Sequence, residues 1–263
     1  MSSRLDPTFA HLRSNGGRGL IAYVTAGDPS LDQTAAMLPA LCEAGADVLE
    51  IGVPFSDPLA DGPVIQRASE RALAAGTTLR RTLQLVRDVR DRVAAPMVLF
   101  TYANPIVRMG EAAFARAAAD AGVDGVLVLD LPIEEADAFR QQLVDAGLDP
   151  IFLLSPTTTD ERIDRAAALG RGFLYVISRL GVTGARDRLS DAAAPLIERI
   201  RRRTDMPIAL GFGISRPEHV TEATTWADAA VVGSGLVNVI AEHARSADLP
   251  RQAAAYVRWL KNG

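Results

Sequence analysis

Two carboxylates eleven residues apart, Glu50 and Asp61, stand out in this chain for the chemistry their types and spacing could carry. Glu50 lies within the apolar run Asp47–Gly52. By the period-two alternation of a strand, Val48, Glu50 and Gly52 share one face while Leu49, Ile51 and Val53 share the other. If the apolar set meets a layer of helices, Glu50 points inward. An ionised carboxylate is destabilised there by several kcal/mol unless it is paired, and its pKa rises. A buried glutamate satisfied by its neighbours is the plainer alternative. The run leads directly into PFSDPLADGP (54–63), whose three prolines and one glycine specify a long loop before a helix over Val64–Ala74. Asp57 and Asp61 fall in that loop. Taken alone, Asp61 reads equally well as a turn or N-cap aspartate ahead of Gly62-Pro63; its pairing with Glu50 favours function.

A second kind of chemistry, anion binding, is suggested by three glycine segments late in the chain. They are Gly181-Val182-Thr183-Gly184, Gly211-Phe212-Gly213-Ile214-Ser215 and Gly233-Ser234-Gly235. Backbone amides unobstructed by side chains, close to the start of a helix, suit a phosphate, and the Ser234 hydroxyl adds a donor. Other chemistries lack their residues. Lys261, two residues from the end, is the only lysine, which removes Schiff-base, pyridoxal-phosphate and P-loop mechanisms from this chain. His11, His219 and His243 are never at paired-ligand spacing, so no zinc site is expected. Cys42, the single cysteine, sits in the apolar stripe of an expected helix and reads as packing.

These residues must be positioned by something, and the pattern around them is regular. Short apolar runs alternate with segments of helical period. The expected strands are Leu20–Thr25, Asp47–Gly52, Met97–Tyr102, Gly125–Asp130, Pro150–Leu154, Gly172–Ser178, Pro207–Gly211 and Ala229–Gly233. Eight strand-helix units predict an α/β fold, a single (β/α)8 TIM barrel over residues 1–263, with extra helices near Asp6–Arg13 and Arg251–Lys261 covering its bottom or flank. In such barrels the loops after the strands form the active site and those after strands seven and eight commonly bind phosphate. Glu50, Asp61 and the last two glycine segments all fall at that end.

With 263 residues, 48% hydrophobic and 23% charged, the chain is ordinary globular material, and its net charge of −4 is spread without blocks. The Arg201-Arg202-Arg203 run reads as a helix end, not a nucleic-acid patch. Lacking a signal-like segment or a long uncharged apolar stretch, the chain is expected in the cytoplasm.

Taken together, AYVTAGDP, LEIGVPFSDPLADGP, FTYANP, SRLGVTGAR, GFGIS and VGSG resemble the tryptophan synthase alpha subunit family in order and spacing across nearly the whole chain. The segment 50–63 carries most of that specificity. The resemblance implies a carbon–carbon lyase of tryptophan biosynthesis that splits indole-3-glycerol phosphate into indole and glyceraldehyde 3-phosphate. It implies that Glu50 is the general acid/base that protonates the indole ring carbon, that Asp61 binds the indole N–H, and that Tyr175 assists. It assigns Gly184, Gly213, Gly233 and Ser234 to the phosphate and Thr183 to a closing loop. It also implies a beta-subunit partner carrying pyridoxal phosphate, an alpha2beta2 heterotetramer, contacts through Pro54, Asp57 and Asn104, and no cofactor on this chain. Two departures are Phe173, where the family pattern has tyrosine, expected to alter pocket polarity, and Tyr23, which replaces a phenylalanine near the indole pocket. Of the competing readings, another phosphate-binding barrel, an isomerase or decarboxylase, is weak, since the decarboxylases and indole-glycerol phosphate synthase want a strand-end lysine that this chain lacks. A non-catalytic regulatory barrel has no use for an inward carboxylate.

Overall fold

The computed structural model of the protein describes residues 3–177, 193–211 and 213–263. Eight parallel strands close into a barrel in sequence order: β1 (Gly19–Thr25), β2 (Val48–Gly52), β3 (Met97–Thr101), β4 (Gly125–Val128), β5 (Asp149–Leu154), β6 (Leu174–Ile177), β7 (Ile208–Gly211) and β8 (Ala229–Val232), with β8 paired back to β1. The expected TIM barrel is therefore the observed fold. Strand ends move by a residue or two for local reasons. Gly172, for example, takes a positive φ of 73°, so β6 begins only at Leu174.

Closure makes two separate apolar layers from each strand. Leu49 and Ile51 on β2, with Leu99 on β3 and Leu210 on β7, face outward into the main core beneath the helices. Ile21, Val48, Val98, Leu127 and Ile151 face inward. The N-terminal end of this inner layer is plugged by the helix Leu5–Ser14, which buries Leu5, Phe9 and Leu12 there. Each such side chain contributes about 2 kcal/mol by leaving water. The C-terminal helix Leu249–Asn262 lies on the flank, against the helices Leu31–Glu43, Pro217–Trp226 and Ser234–Glu242. Closing one end of the barrel leaves the other, at the C-terminal ends of the strands, open to a cavity.

The charged runs are absorbed structurally. Arg201 donates to Asp228 at 2.6 Å and Arg203 to Asp164 and Asp160 at 2.5 and 2.7 Å, so two of the three consecutive arginines are in ion pairs. Among the described residues, no helix is long and apolar enough to cross a membrane.

Candidate active site

Glu50 projects into the barrel from the middle of β2, in register with Tyr23 on β1 and Val98 on β3. Its side chain lines the cavity and is only 1% exposed, and neither carboxylate oxygen has a hydrogen-bond partner among the described residues. Burial, reinforced by the nearby Asp61 charge, pushes its pKa up to about 8. It is thus a protonated acid at neutral pH, which lessens the desolvation penalty of its position. Two residues on, Gly52 has no side chain because none fits: a Cβ there would lie 2.1 Å from the Tyr23 hydroxyl.

Asp61 approaches from the β2 loop. Its amide donates to the Pro58 carbonyl at 3.0 Å, and Gln66 Nε2 donates to the Asp61 carbonyl at 2.9 Å, so the turn is held from the helix Pro63–Ala74 that it introduces. That helix is itself anchored to the β1 loop by Arg71, whose two nitrogens donate to the Asp28 carboxylate at 2.8 Å each. The N-cap is Gly62, with no side-chain cap, so Asp61 is not a capping residue. Its carboxylate instead accepts from the Tyr102 hydroxyl at 2.9 Å, and that hydroxyl in turn accepts from the Ala60 amide at 3.1 Å. Burial raises the Asp61 pKa to about 6, against the lowering effect of the Tyr102 hydrogen bond. Tyr102 escaped the sequence reading as a site residue. Its only signal was position, at the mouth end of the strand beside β2.

Beside the carboxylates the cavity is an apolar slot. Phe100 meets Tyr23 edge-on at a centroid distance of 5.4 Å and Tyr175 at 6.3 Å, with Leu129 and Leu153 completing the wall. Tyr175 is buried, and burial with the neighbouring Glu50 charge holds its pKa well above the usual phenol value, so it stays neutral. Its hydroxyl occupies the space over Gly211, where a Cβ would be 2.6 Å away. The expectation that Phe173 shapes pocket polarity does not hold. Phe173 lies at the plugged end, 5.4 Å from the Phe9 ring, and is not part of the cavity lining. Tyr23 does line it, and its hydroxyl is 3.2 Å from Thr25 Oγ1.

The cavity is also lined by Gly213, Ile214, Ser215, Gly233, Ser234 and Gly235, at the C-terminal ends of β7 and β8. Gly213 has a φ of 79°. The helix Ser234–Glu242 opens on Gly233 without a side-chain cap, leaving its first amides with no intrahelical acceptor beside the cavity. Thr183 and Gly184 lie outside the described residues. Of the expected partner-facing residues, Asp57 and Asn104 are exposed whereas Pro54 is buried. Leu59 and Val107, 78% and 62% exposed, stand on the same loop and the same helix as those two.

Groups excluded by the sequence reading are engaged elsewhere. Lys261 donates to the Arg18 carbonyl at 2.7 Å and to the Asp47 carboxylate, at the N-terminal end of β2 and away from the cavity. Among the described residues, no three His, Cys, Asp or Glu side chains are grouped to hold a metal ion.

Comparison with known proteins gives this geometry a family. The family model described as tryptophan synthase alpha chain matches residues 9–262. The alpha chain of Solibacter usitatus is 48% identical, covering 99% of this chain and 98% of the relative, and that of Burkholderia thailandensis is 50% identical, covering 97% and 93%. Among solved structures, the tryptophan synthase alpha subunit of Legionella pneumophila superposes with a TM-score of 0.88 at 36% identity, covering 99% of this chain and 98% of that one. A chain of Mycobacterium tuberculosis tryptophan synthase gives 0.88 at 39%, covering 98% and 99%. With two carboxylates, an apolar slot and a row of glycines lining one cavity, and a match over nearly its whole length, the chain belongs to the tryptophan synthase alpha chain family.

Proposed function

We propose that Glu50 and Asp61 divide the work of cleaving indole-3-glycerol phosphate, the carbon–carbon lyase reaction of this family in tryptophan biosynthesis. The observation that carries the reading is that both carboxylates line one cavity in unlike settings, Glu50 buried with no hydrogen-bond partner among the described residues and Asp61 accepting from the Tyr102 hydroxyl, while burial raises both pKa values and that of Glu50 further. Near pH 7 one is a proton donor and the other an anion, the division that acid-base chemistry on a single substrate needs. Glu50 delivers its proton to the ring carbon that bears the glycerol phosphate. The positive charge this creates on the indole nitrogen is stabilised by the Asp61 carboxylate, which accepts the N–H and is oriented by Tyr102. The ionised Glu50 then takes the proton from the adjacent substrate hydroxyl. A carbonyl forms, the carbon–carbon bond breaks, and its electrons return to the ring. Indole and glyceraldehyde 3-phosphate leave, with Glu50 already returned to its acid form by the hydroxyl proton.

Tyr23, Phe100, Leu129, Leu153 and Tyr175 suit the indole ring as an apolar slot, with Tyr175 the assisting residue. The phosphate goes to Gly213, Gly233 and Ser234 at the head of the helix Ser234–Glu242; for Gly184 and Thr183, which lie outside the described residues, the roles in phosphate binding and closure are those the family resemblance implies. The chain works as one unit, residues 1–263, in the cytoplasm, and carries no cofactor of its own. Its partner is a beta subunit bearing pyridoxal phosphate, in an alpha2beta2 assembly, met at the rim of Asp57, Leu59, Asn104 and Val107, with buried Pro54 shaping the loop beneath. The exposure of two large apolar side chains on that rim supports a covered surface.

The test is indole release from indole-3-glycerol phosphate by the purified chain, with and without a beta subunit, for wild type, Glu50→Gln and Asp61→Asn. Loss of turnover in both variants, with chelator indifferent, is expected. Full activity in Glu50→Gln removes the assignment.

A further inference from the structure

We infer that Tyr256 and His219 are positioning residues that fix Ser215, and through it the gap between the Gly213–Ser215 turn and the helix Ser234–Glu242; this rests on the phosphate reading above. Ser215 lines the cavity, yet neither of its backbone groups is turned to a ligand. Its carbonyl accepts from the Tyr256 hydroxyl at 2.8 Å, and its amide donates to His219 Nδ1 at 3.3 Å. These two side chains come from different helices, Leu249–Asn262 and Pro217–Trp226, so the turn is held from two directions. His219 is 4% exposed, and accepting at Nδ1 leaves its ring proton on Nε2.

Tyr256 reaches the second half of the cradle as well. A Cβ on Gly235 would lie 2.4 Å from the Tyr256 hydroxyl and 3.4 Å from Ser215 Cβ. One phenol therefore sits between the last residue of the turn and the first turn of the helix, touching both walls of the anion site. Burial pushes the Tyr256 pKa up to about 12, so the hydroxyl remains a donor wherever the enzyme works. With the Ser215 amide committed to His219, the amides this turn still offers among the described residues are those of Gly213 and Ile214, facing the helix start at a spacing that Tyr256 keeps. The glycine at 235 is explained by the same contact.

This makes the C-terminal helix part of substrate affinity without any of its atoms touching the reacting bond. Glycerol 3-phosphate is the probe, measured by calorimetry on the full chain, with steady-state cleavage of indole-3-glycerol phosphate alongside. Tyr256→Phe keeps the ring and loses the hydrogen bond, and is expected to weaken glycerol 3-phosphate about three- to tenfold and to raise KM by the same factor. The kcat at saturation should stay within about twofold, because the Tyr256 hydroxyl bonds the Ser215 carbonyl and neither Glu50 nor Asp61 shifts its pKa. His219→Ala should behave likewise, while His219→Gln, whose side-chain oxygen can accept from the Ser215 amide, should bind nearly as wild type. Unchanged affinity and KM in Tyr256→Phe, or a fall confined to kcat or to melting temperature, overturns the role of Tyr256; equal loss in both His219 variants overturns that of His219. Wild type that cleaves substrate but does not bind glycerol 3-phosphate overturns the phosphate reading itself.

Discussion

Replacing Tyr102 with phenylalanine removes one hydroxyl from the site while keeping the ring that stacks at 5.1 Å on Phe55. The hydroxyl donates to Asp61 Oδ2 at 2.9 Å, and hydrogen bonding to the ionised form is what holds the Asp61 pKa near 6 against burial. A hydrogen bond to a charged group contributes about 1.5–3 kcal/mol, which at about 1.4 kcal/mol per unit raises the Asp61 pKa by about one to two units. Asp61 is only partly buried, so water replaces some of the loss and the lower end is expected. Cleavage needs Asp61 ionised and Glu50 protonated, giving wild type a bell-shaped kcat/KM with limbs near pH 6 and 8. In the variant the acid limb moves toward the alkaline one. Activity near pH 6 should fall about five- to fiftyfold, whereas near pH 8 it should fall less than about twofold. The assay is initial indole formation across pH 5 to 9 with subsaturating substrate. Equal loss at every pH, with both limbs in place, refutes the claim that Tyr102 acts through the ionisation of Asp61.

Stability should carry the signature of Glu50. Its folded pKa of about 8 is above the ordinary 4.5, so as pH rises the unfolded chain ionises first and the folded state loses stability between those values. Glu50→Gln should therefore be more stable than wild type at pH 8 by a few kcal/mol in urea melts, and close to it at pH 4. Gly52→Ala puts a Cβ 2.1 Å from the Tyr23 hydroxyl and must displace that ring into the slot. Stability should fall about 1–3 kcal/mol and kcat/KM on the order of a hundredfold, read by melting and by indole release.

The barrel was legible because its strands are short apolar runs separated by helical periods, and the inward direction of Glu50 followed from the alternation of Val48, Glu50 and Gly52. Alternation tells which face a side chain takes but not how high in the barrel it sits. Phe173 and Tyr175 share a face, yet two residues along β6 separate the plug from the pocket, and only the helix Leu5–Ser14 decides that Phe173 meets Phe9. Tyr102 was hidden for a related reason. Its contact with Asp61 joins the end of one strand to the loop of the next, a pairing fixed by the closure of the barrel. His219 showed only that it lacks a paired metal-ligand neighbour, since its acceptor role depends on a turn four residues earlier folding back onto it.

The division of labour between the two carboxylates is tested most directly by titrating Glu50 itself. Carbon-13 labelling of glutamate carboxyls, with the Glu50 resonance identified by its absence in Glu50→Gln, gives its protonation state at each pH. A midpoint near 8 is expected, lowered in Asp61→Asn where the neighbouring charge is gone. A midpoint near the ordinary 4.5 would leave Glu50 ionised at neutral pH, unable to donate the proton that begins the cleavage, and would contradict the account.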